Sequence, residues 1–357
     1  MSSTAKSLAA IAMSGGVDSA VAALLLRDSL PDHAVLGVTM SLWRGEGSLL
    51  AADAQMCADA KSVADRVGID HTVCDLEELF RTQVMDDFCR EYLAGRTPNP
   101  CVVCNKAIKF GALWAFVQSR GADVFATGHY ARMEMSEEGR ALIRLAADQS
   151  KDQTYMLWSH SQDVLRHVRF PLGALTKSEV RTIAAEHGFV NAQRKDSQDI
   201  CFIPDGDYIS FLSRYAGITP TPGAYLDTDG NVIGQHKDML CYTIGQRKGL
   251  GMSFGKHMFV CAKDAAANTV TLSDEEQLFH RSVALTDTNY IPFDTLTAPM
   301  RVKAKLRYRH AAEDATLIPT GENTARLEFD RPQRAPAAGQ SAVFYEDDYL
   351  VGGGIIA

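Results

Sequence analysis

Three stretches of this chain carry residue types that could do chemistry together. The first is Ser14-Gly15-Gly16-Val17-Asp18-Ser19, directly after the apolar run Leu8 to Met13. Two adjacent glycines let the backbone turn tightly and bring its N–H groups toward a ligand, and a helix starting there adds partial positive charge. Such a turn holds an anion. Two serine hydroxyls add donors, and Asp18 suits a Mg²⁺ ion that screens it from phosphate, so the expected anion is a polyphosphate. The second stretch is Cys101-Val-Val-Cys104-Asn105-Lys106, with two thiols three residues apart at an expected helix start. There, backbone N–H groups and Lys106 would lower a thiol pKa. Alone, this spacing reads as half of a zinc site, a redox pair or an iron–sulfur fragment, and the chain has no second CxxC or HxxxH to complete a zinc site. The third is Cys201 beside Phe202 and Ile203, a setting that ordinarily buries an inert thiol. Cys104, a second thiol outside a disulfide scaffold, gives it more weight.

The elements that must position these groups follow from periodicity. Strand, glycine turn and helix are expected through Leu25, then a strand at Ala34 to Met40, a helix marked by Met56, Ala60, Val63 and Val67, and a strand at His71 to Cys74. Phe80, Val84, Phe88 and Tyr92 recur at four-residue steps, which predicts a helix from Glu77 to Leu93 ending at Gly95 and the prolines of Thr97-Pro98-Asn99-Pro100. The sheet resumes at Val124 to Ala126, and Thr127-Gly128-His129-Tyr130-Ala131-Arg132 leaves it. Strands alternating with helices imply a parallel, doubly wound α/β sheet whose ligands lie at strand C-terminal ends, where Met40 and Gly128 fall. A hairpin is expected around Glu137-Glu138-Gly139, and Thr176 with Glu179 forms a capping box opening another helix. From about Asp205 glycines, prolines and short β-like runs replace the helical periods. The chain is therefore divided into a catalytic α/β domain at 1–204, a small β-rich domain at 205–281 and a C-terminal β-barrel at 282–357. In the barrel, Arg301, Lys303, Lys305, Arg307 and Arg309 alternate along an expected strand Met300 to Tyr308, five cations on one face. That pattern fits a phosphate backbone.

Bulk properties set bounds. The 357 residues, 46% hydrophobic, are enough for two or three domains, and the net charge of −8 argues against non-specific coating of nucleic acid while allowing a local basic patch. Eight cysteines are too sparse for a disulfide scaffold. Without a long apolar run or a signal peptide, a cytoplasmic protein with no membrane partner is expected. The glycine loop lacks the spacing and lysine of a Walker A motif, and the nearest approach, Gly251 to Lys256, has the wrong spacing.

The SGGVDS string resembles the pyrophosphate loop of ATP-pyrophosphatases, enzymes that cleave ATP between its α and β phosphates and pass AMP to a substrate oxygen. Together with TPNPxxxCN, GHYAR, KDQ, KDSxxICFI, YTIGQRKGLG, the basic RYRH stretch and GQSAVFY near a GGG end, it makes nearly the whole chain resemble the bacterial-type tRNA-specific 2-thiouridylases. The resemblance implies ATP-dependent adenylation of C2 of a wobble uridine in the tRNA anticodon region, followed by exchange of oxygen for sulfur from a persulfide or sulfide donor protein. It implies an ATP site at Ala12, Met13, Ser14, Gly15, Gly16, Val17, Asp18, Ser19, Met40 and Gly128, a nucleophile at Cys104 and a persulfide carrier at Cys201. It also implies tRNA contacts at Asn99, Pro100, Cys101, His129, Lys151, Asp152, Gln153, Arg307, Tyr308 and Gln340. Cys101 stands where many members carry an aspartate, so a [4Fe–4S] cluster on Cys101, Cys104 and Cys201 is carried as an alternative to the Cys104–Cys201 disulfide. An ATP-dependent amide ligase would need neither paired cysteines nor a basic β-domain. A non-catalytic RNA-binding protein would not need the intact loop.

Overall fold

The computed structural model describes residues 7–43, 48–189 and 200–357. They fall into two units, one of Met1–Val84, Cys101–Gln198 and Asp348–Leu350, the other of Met85–Pro100, Asp199–Asp347 and Val351–Ala357.

The first unit is built on five parallel strands: β1 (Ser7–Ala12), β2 (His33–Ser41), β3 (Asp70–Asp75), β4 (Ala122–Ala126) and, after the hairpin β5 (Arg132–Met135) and β6 (Ala141–Arg144), β7 (Val168–Arg169). Their order is β3-β2-β1-β4-β7. Strand β1 is central because it is apolar throughout, with Ala9, Ala10 and Ile11 fully buried; a strand covered on both faces has no use for alternation. The chain runs from β1 to β2 on one side and later places β4 on the other, so β1 and β4 bound the point where the winding reverses. Ligands of such sheets bind in that crevice. The helix Val17–Ser29 buries Val17, Ala20, Val21, Ala22, Ala23 and Leu24 with Ile11, Val35 and Val63 in one core. The capping box is present: Thr176 accepts from the Glu179 backbone while the Glu179 side chain reaches back, opening the helix Lys177–Glu186. The helical stretch Pro100–Gln118 is long and apolar enough to cross a membrane by composition, yet half of it is buried, as the core helix of a globular unit is.

In the second unit, the segment Met85–Pro100 belongs with residues more than a hundred positions later, and the packing shows why. Phe88 meets Phe202 edge-on at 5.5 Å, Tyr92 stacks on Tyr208 at 4.7 Å, and the Tyr215 hydroxyl donates to Asp86 at 2.6 Å. Tyr208–Ala216 is a helix, in a region whose composition predicts only short β-like runs. Asp207 caps it by accepting from Ser210, and Gly217 ends it in the left-handed region at φ 67°. Four short strands follow, β8 (Gly223–Leu226), β9 (Val232–His236), β10 (Phe259–Asp264) and β11 (Thr269–Ser273), ordered β10-β11-β8-β9. Six antiparallel strands then close into a barrel: β12 (Phe279–Tyr290), β13 (Met300–Lys305), β14 (Glu313–Gly321), β15 (Thr324–Arg334), β16 (Ser341–Glu346) and β17 (Tyr349–Ile356). Closure comes from β12 pairing with β17 through Leu285↔Ile356 and Tyr290↔Gly352. Val302, Ala304, Leu317, Leu327 and Phe344 fill its interior.

The barrel corrects one expectation. Strand β13 stops at Lys305, because pairing with β14 ends at Ala304↔Glu313 and with β16 at Lys305↔Val343. Beyond Leu306 the chain turns, with the His310 N–H on the Arg307 carbonyl at 3.1 Å, so Arg307 and Arg309 are not on the strand face. The remaining stripe is partly neutralised, Arg301 by Asp330 at 2.8 Å and Lys303 by Asp314 at 3.1 Å.

Candidate active site

The glycine loop leaves β1 and enters the helix Val17–Ser29 as the sequence predicts. Gly15 sits at φ +67°, and a Cβ there would lie 2.9 Å from Asp59 Cβ and from the Met56 carbonyl oxygen, so only glycine fits. Ser19 braces the turn from inside: its hydroxyl accepts from the Ser14 N–H at 3.1 Å and donates to the Gly16 carbonyl at 3.0 Å. Gly16 is the N-cap, and no side chain caps this helix, an arrangement that leaves capping to an anion. Gly128, in the loop after β4, lies against the same turn, and a Cβ on it would be 3.1 Å from the Asp18 carbonyl carbon and the Ser19 nitrogen. Met40 is half-buried one residue before the end of β2. The Ser14–Ser19 turn and Gly128 therefore meet at the β1/β4 reversal, while Met13 and Val17 turn into the core.

Two residues that sequence reasoning leaves aside complete it. Lys177 Nζ donates to both carboxylate oxygens of Asp18 at 2.8 Å, and the Tyr130 hydroxyl donates to Oδ1 at 2.9 Å. Tyr130 is held in turn by a reciprocal pair with Gln153, whose side-chain oxygen accepts the Tyr130 N–H at 3.0 Å while its backbone N–H reaches the Tyr130 carbonyl at 3.0 Å. Asp152 is buried, accepting from the Ala146 N–H at 2.8 Å and the Thr154 hydroxyl at 2.6 Å. Gln153 of the KDQ string thus braces the GHYAR loop, and Lys151 of the same string is half-buried. Both oxygens of Asp18 rest on an ammonium and one also on a phenol, so its charge is balanced by the protein's own groups while about a third of the side chain, 32%, stays exposed.

His129 is buried, its Nδ1 2.7 Å from the Thr127 hydroxyl. Burial first, then the charge of Lys109 and the neighbouring His160, hold its pKa well below the ordinary imidazole value. Cys104 is 9% exposed and Cys101 is exposed. Contrary to the lowered pKa expected from Lys106 and the helix start, burial pushes the Cys104 thiol up, and Lys109 offsets it only in part. Asn105 is tied back by donating to the Cys101 carbonyl at 3.0 Å. Cys201 belongs to the second unit, exposed on a turn anchored by Phe202 and Ile203, which are 5% and 1% exposed. Lys195 to Asp199 of its motif lie outside the described residues. Among the described residues no group of three or more His, Cys, Asp or Glu side chains is gathered to hold a metal ion.

Still in the second unit, Gln340 donates to the Thr97 and Pro98 carbonyls at 2.8 and 3.2 Å, clamping the strap that carries Asn99 and Pro100. Arg307 donates to the Ile244 and Ala335 carbonyls at 3.3 and 2.8 Å, and Tyr308 is exposed. Arg247, Lys248, Lys256 and Arg334 line an open cleft of about 810 Å³ that also holds Asp274 and Glu275.

A parallel sheet with an uncapped glycine turn at its reversal point, carrying a β-rich extension, defines a nucleotide-binding α/β protein with added β-rich domains. Residues 8–205 match the tRNA methyl transferase HUP domain, 209–274 the tRNA methyl transferase PRC-barrel domain and 280–356 the aminomethyltransferase β-barrel domain. The chain is 46% identical to the tRNA-specific 2-thiouridylase MnmA of Clostridium acetobutylicum over 97% of its length and 98% of that protein. It is 44% identical to the protein of that name from Clostridioides difficile, covering 97% of each chain. Against the one from Moorella thermoacetica it is 45% identical, over 97% of this chain and 98% of that one. The chain belongs to the tRNA-specific 2-thiouridylase family.

Proposed function

We propose that this protein uses ATP to replace the C2 oxygen of a wobble uridine in the anticodon region of tRNA with sulfur, working in the cytoplasm. The triphosphate lies on the Ser14–Ser19 turn, and Mg²⁺ arrives as its counter-ion, part of the substrate. The uridine O2 attacks the α phosphorus, the bond to the β phosphate breaks and pyrophosphate leaves. Carbonyl oxygen is a poor leaving group as oxide, whereas after adenylation it departs as AMP. A donor protein that itself carries a persulfide passes its outer sulfur to Cys201 and leaves as a thiol, and the terminal sulfur of the Cys201 persulfide then attacks C2 and expels AMP. The Cys104 thiolate then attacks the Cys201 sulfur, the persulfide S–S bond breaks, the outer sulfur stays on C2 and a Cys104–Cys201 disulfide forms. An external thiol returns both to the reduced state by two electrons. His129, kept neutral by burial, and the Asn99–Cys101 strap are assigned to the uridine and its neighbours; Lys151, Arg307, Tyr308 and Gln340 are assigned to the tRNA.

The observation that carries this reading is identity of 43–46% to 2-thiouridylases across 97% of the chain. Incubation with unmodified tRNA, Mg·ATP and a persulfide-carrying sulfur donor, followed by mass spectrometry of the anticodon nucleosides, tests it. Thiolated wobble uridine should appear in step with AMP and pyrophosphate. ATP turnover without a thiolated nucleoside, or thiolation without AMP, would sink it.

A further inference from the structure

The string Ser14 to Ser19 holds two glycines, two serines and an aspartate but no cation, and backbone N–H groups of a tight turn that cradle phosphates commonly work beside a lysine. The fold brings one from 159 residues further along the chain. Lys177 is an odd residue for its position on two counts. It opens the helix Lys177–Glu186, where a positive charge opposes the helix dipole. It is also 8% exposed, and burying an ammonium costs free energy that a solvated lysine avoids. Helix stability therefore does not account for it. Its backbone is fixed by the capping box and by its N–H on Asp148 at 3.0 Å. Its Nζ lies on both oxygens of Asp18 at 2.8 Å, in the first turn of the helix whose N-terminus faces the loop. The Asp18 side chain keeps about a third of its surface open, 32% against 10% for Lys177. The ammonium is thus docked beside the anion site rather than sealed into the core.

We propose that Lys177 is a phosphate-binding residue of this nucleotide site, supplying from a distant helix the cation the loop lacks, with Asp18 as its counter-ion. This rests on the ATP reading above. The Tyr130–Gln153 pair and the Tyr130 hydroxyl hold Asp18, and Asp18 holds the ammonium where the pyrophosphate portion of ATP is received. During adenylation negative charge grows on the oxygen between the α and β phosphates, and a pre-placed ammonium stabilises that charge more than it stabilises bound ATP. Asp18 and Tyr130 are positioning residues in this scheme, and Lys177 touches the substrate.

The test uses the full-length protein and three probes: ATP, inorganic pyrophosphate and adenosine. In calorimetry K177M should bind ATP and pyrophosphate about 10- to 100-fold more weakly, the scale of a lost charge-assisted hydrogen bond, with adenosine affinity unchanged, and K177R should recover part of the loss. In turnover with tRNA, kcat for AMP formation should fall as well as KM rising. Equal ATP affinity in K177M and wild type would overturn the proposal while leaving the nucleotide site in place. So would equal weakening of ATP and adenosine, the mark of a strut between two helices. Wild type that binds neither ATP nor adenosine would instead remove the ATP reading, and the proposal with it. Should K177M not fold, the wild type decides: amine acylation of Lys177, followed by peptide mass spectrometry, should slow when pyrophosphate is present, and labelling that pyrophosphate leaves unchanged would overturn the assignment.

Discussion

Cys104 and Cys201 sit in opposite surroundings, and the difference matches their assigned tasks. An exposed thiol on a turn can meet a donor protein, whereas burial pushes the Cys104 thiol up and disfavours its thiolate. Cys104→Ser and Cys201→Ser should each abolish thiolation while adenylation of the uridine survives, read by nucleoside mass spectrometry and pyrophosphate release. Cys101→Ala should keep both activities and be colourless after anaerobic purification; a brown, iron-bearing wild type losing iron and activity together in that variant would reinstate the cluster. The buried imidazoles make a separate prediction about acid. His160 is pushed down to about 3 by burial and by Lys106 and Lys109, and His129 is lowered too. A depressed folded-state pKa means that the unfolded chain binds the extra protons, so their contribution is fully present above an unfolded value of about 6.5 and is lost as pH falls toward 3. Denaturant midpoints should therefore drop between pH 7 and pH 5, and H160Q should drop less over the same interval.

At the scale of elements, the nucleotide site depends on two loops meeting: the turn after β1 and the strand exit after β4. Gly128 is where they touch. G128A adds a methyl 3.1 Å from backbone atoms of Asp18 and Ser19, closer than an ordinary van der Waals contact, so one loop must move. Because misplacing a binding group by a fraction of an ångström is costly to catalysis, ATP KM should rise roughly tenfold with the circular dichroism spectrum unchanged. A wild-type KM would show that the two loops do not form one site. The parallel strands, the capped helix and the hairpin are legible because each is written in local periodicity or cap chemistry. The helix Tyr208–Ala216 is hidden although Asp207 and Gly217 mark both its ends, since the surrounding glycines and prolines outweigh a nine-residue pattern. The cationic strand reads too long because alternation persists to Arg309 while pairing ends at Ala304 on one side and Lys305 on the other.

At the scale of the molecule, two units are interleaved in the chain: Met85–Pro100 leaves the first to join the second, and Asp348–Leu350 returns. Charges on the barrel divide accordingly into those spent on stability and those assigned to RNA. Arg301 pairs bidentately with Asp330 at 2.9 and 2.8 Å, whereas Arg307, which donates to the carbonyls of Ile244 and Ala335, is the cation proposed to meet the tRNA. R307A should lower the slope of log affinity for tRNA against log salt by about 0.7 to 0.9, and R301A should leave it unchanged. A slope unaffected by R307A would make Arg307 only a brace for the Ile244 and Ala335 loops.

What the sequence by itself determined is the chemistry that resides in contiguous residues. The SGGVDS turn, the CxxC pair, the capping box and the strand–helix alternation each depend on neighbours within a few positions, where backbone geometry and side-chain type decide the outcome. Only the tertiary structure decided what Asp18 is paired with, how deeply Cys104 is buried, and that Gln153 and Gln340 each hold a distant loop. Those outcomes depend on which elements pack together, and a pair such as Asp18 and Lys177, separated by 159 residues, leaves no periodic trace in the chain that would mark one as the other's partner.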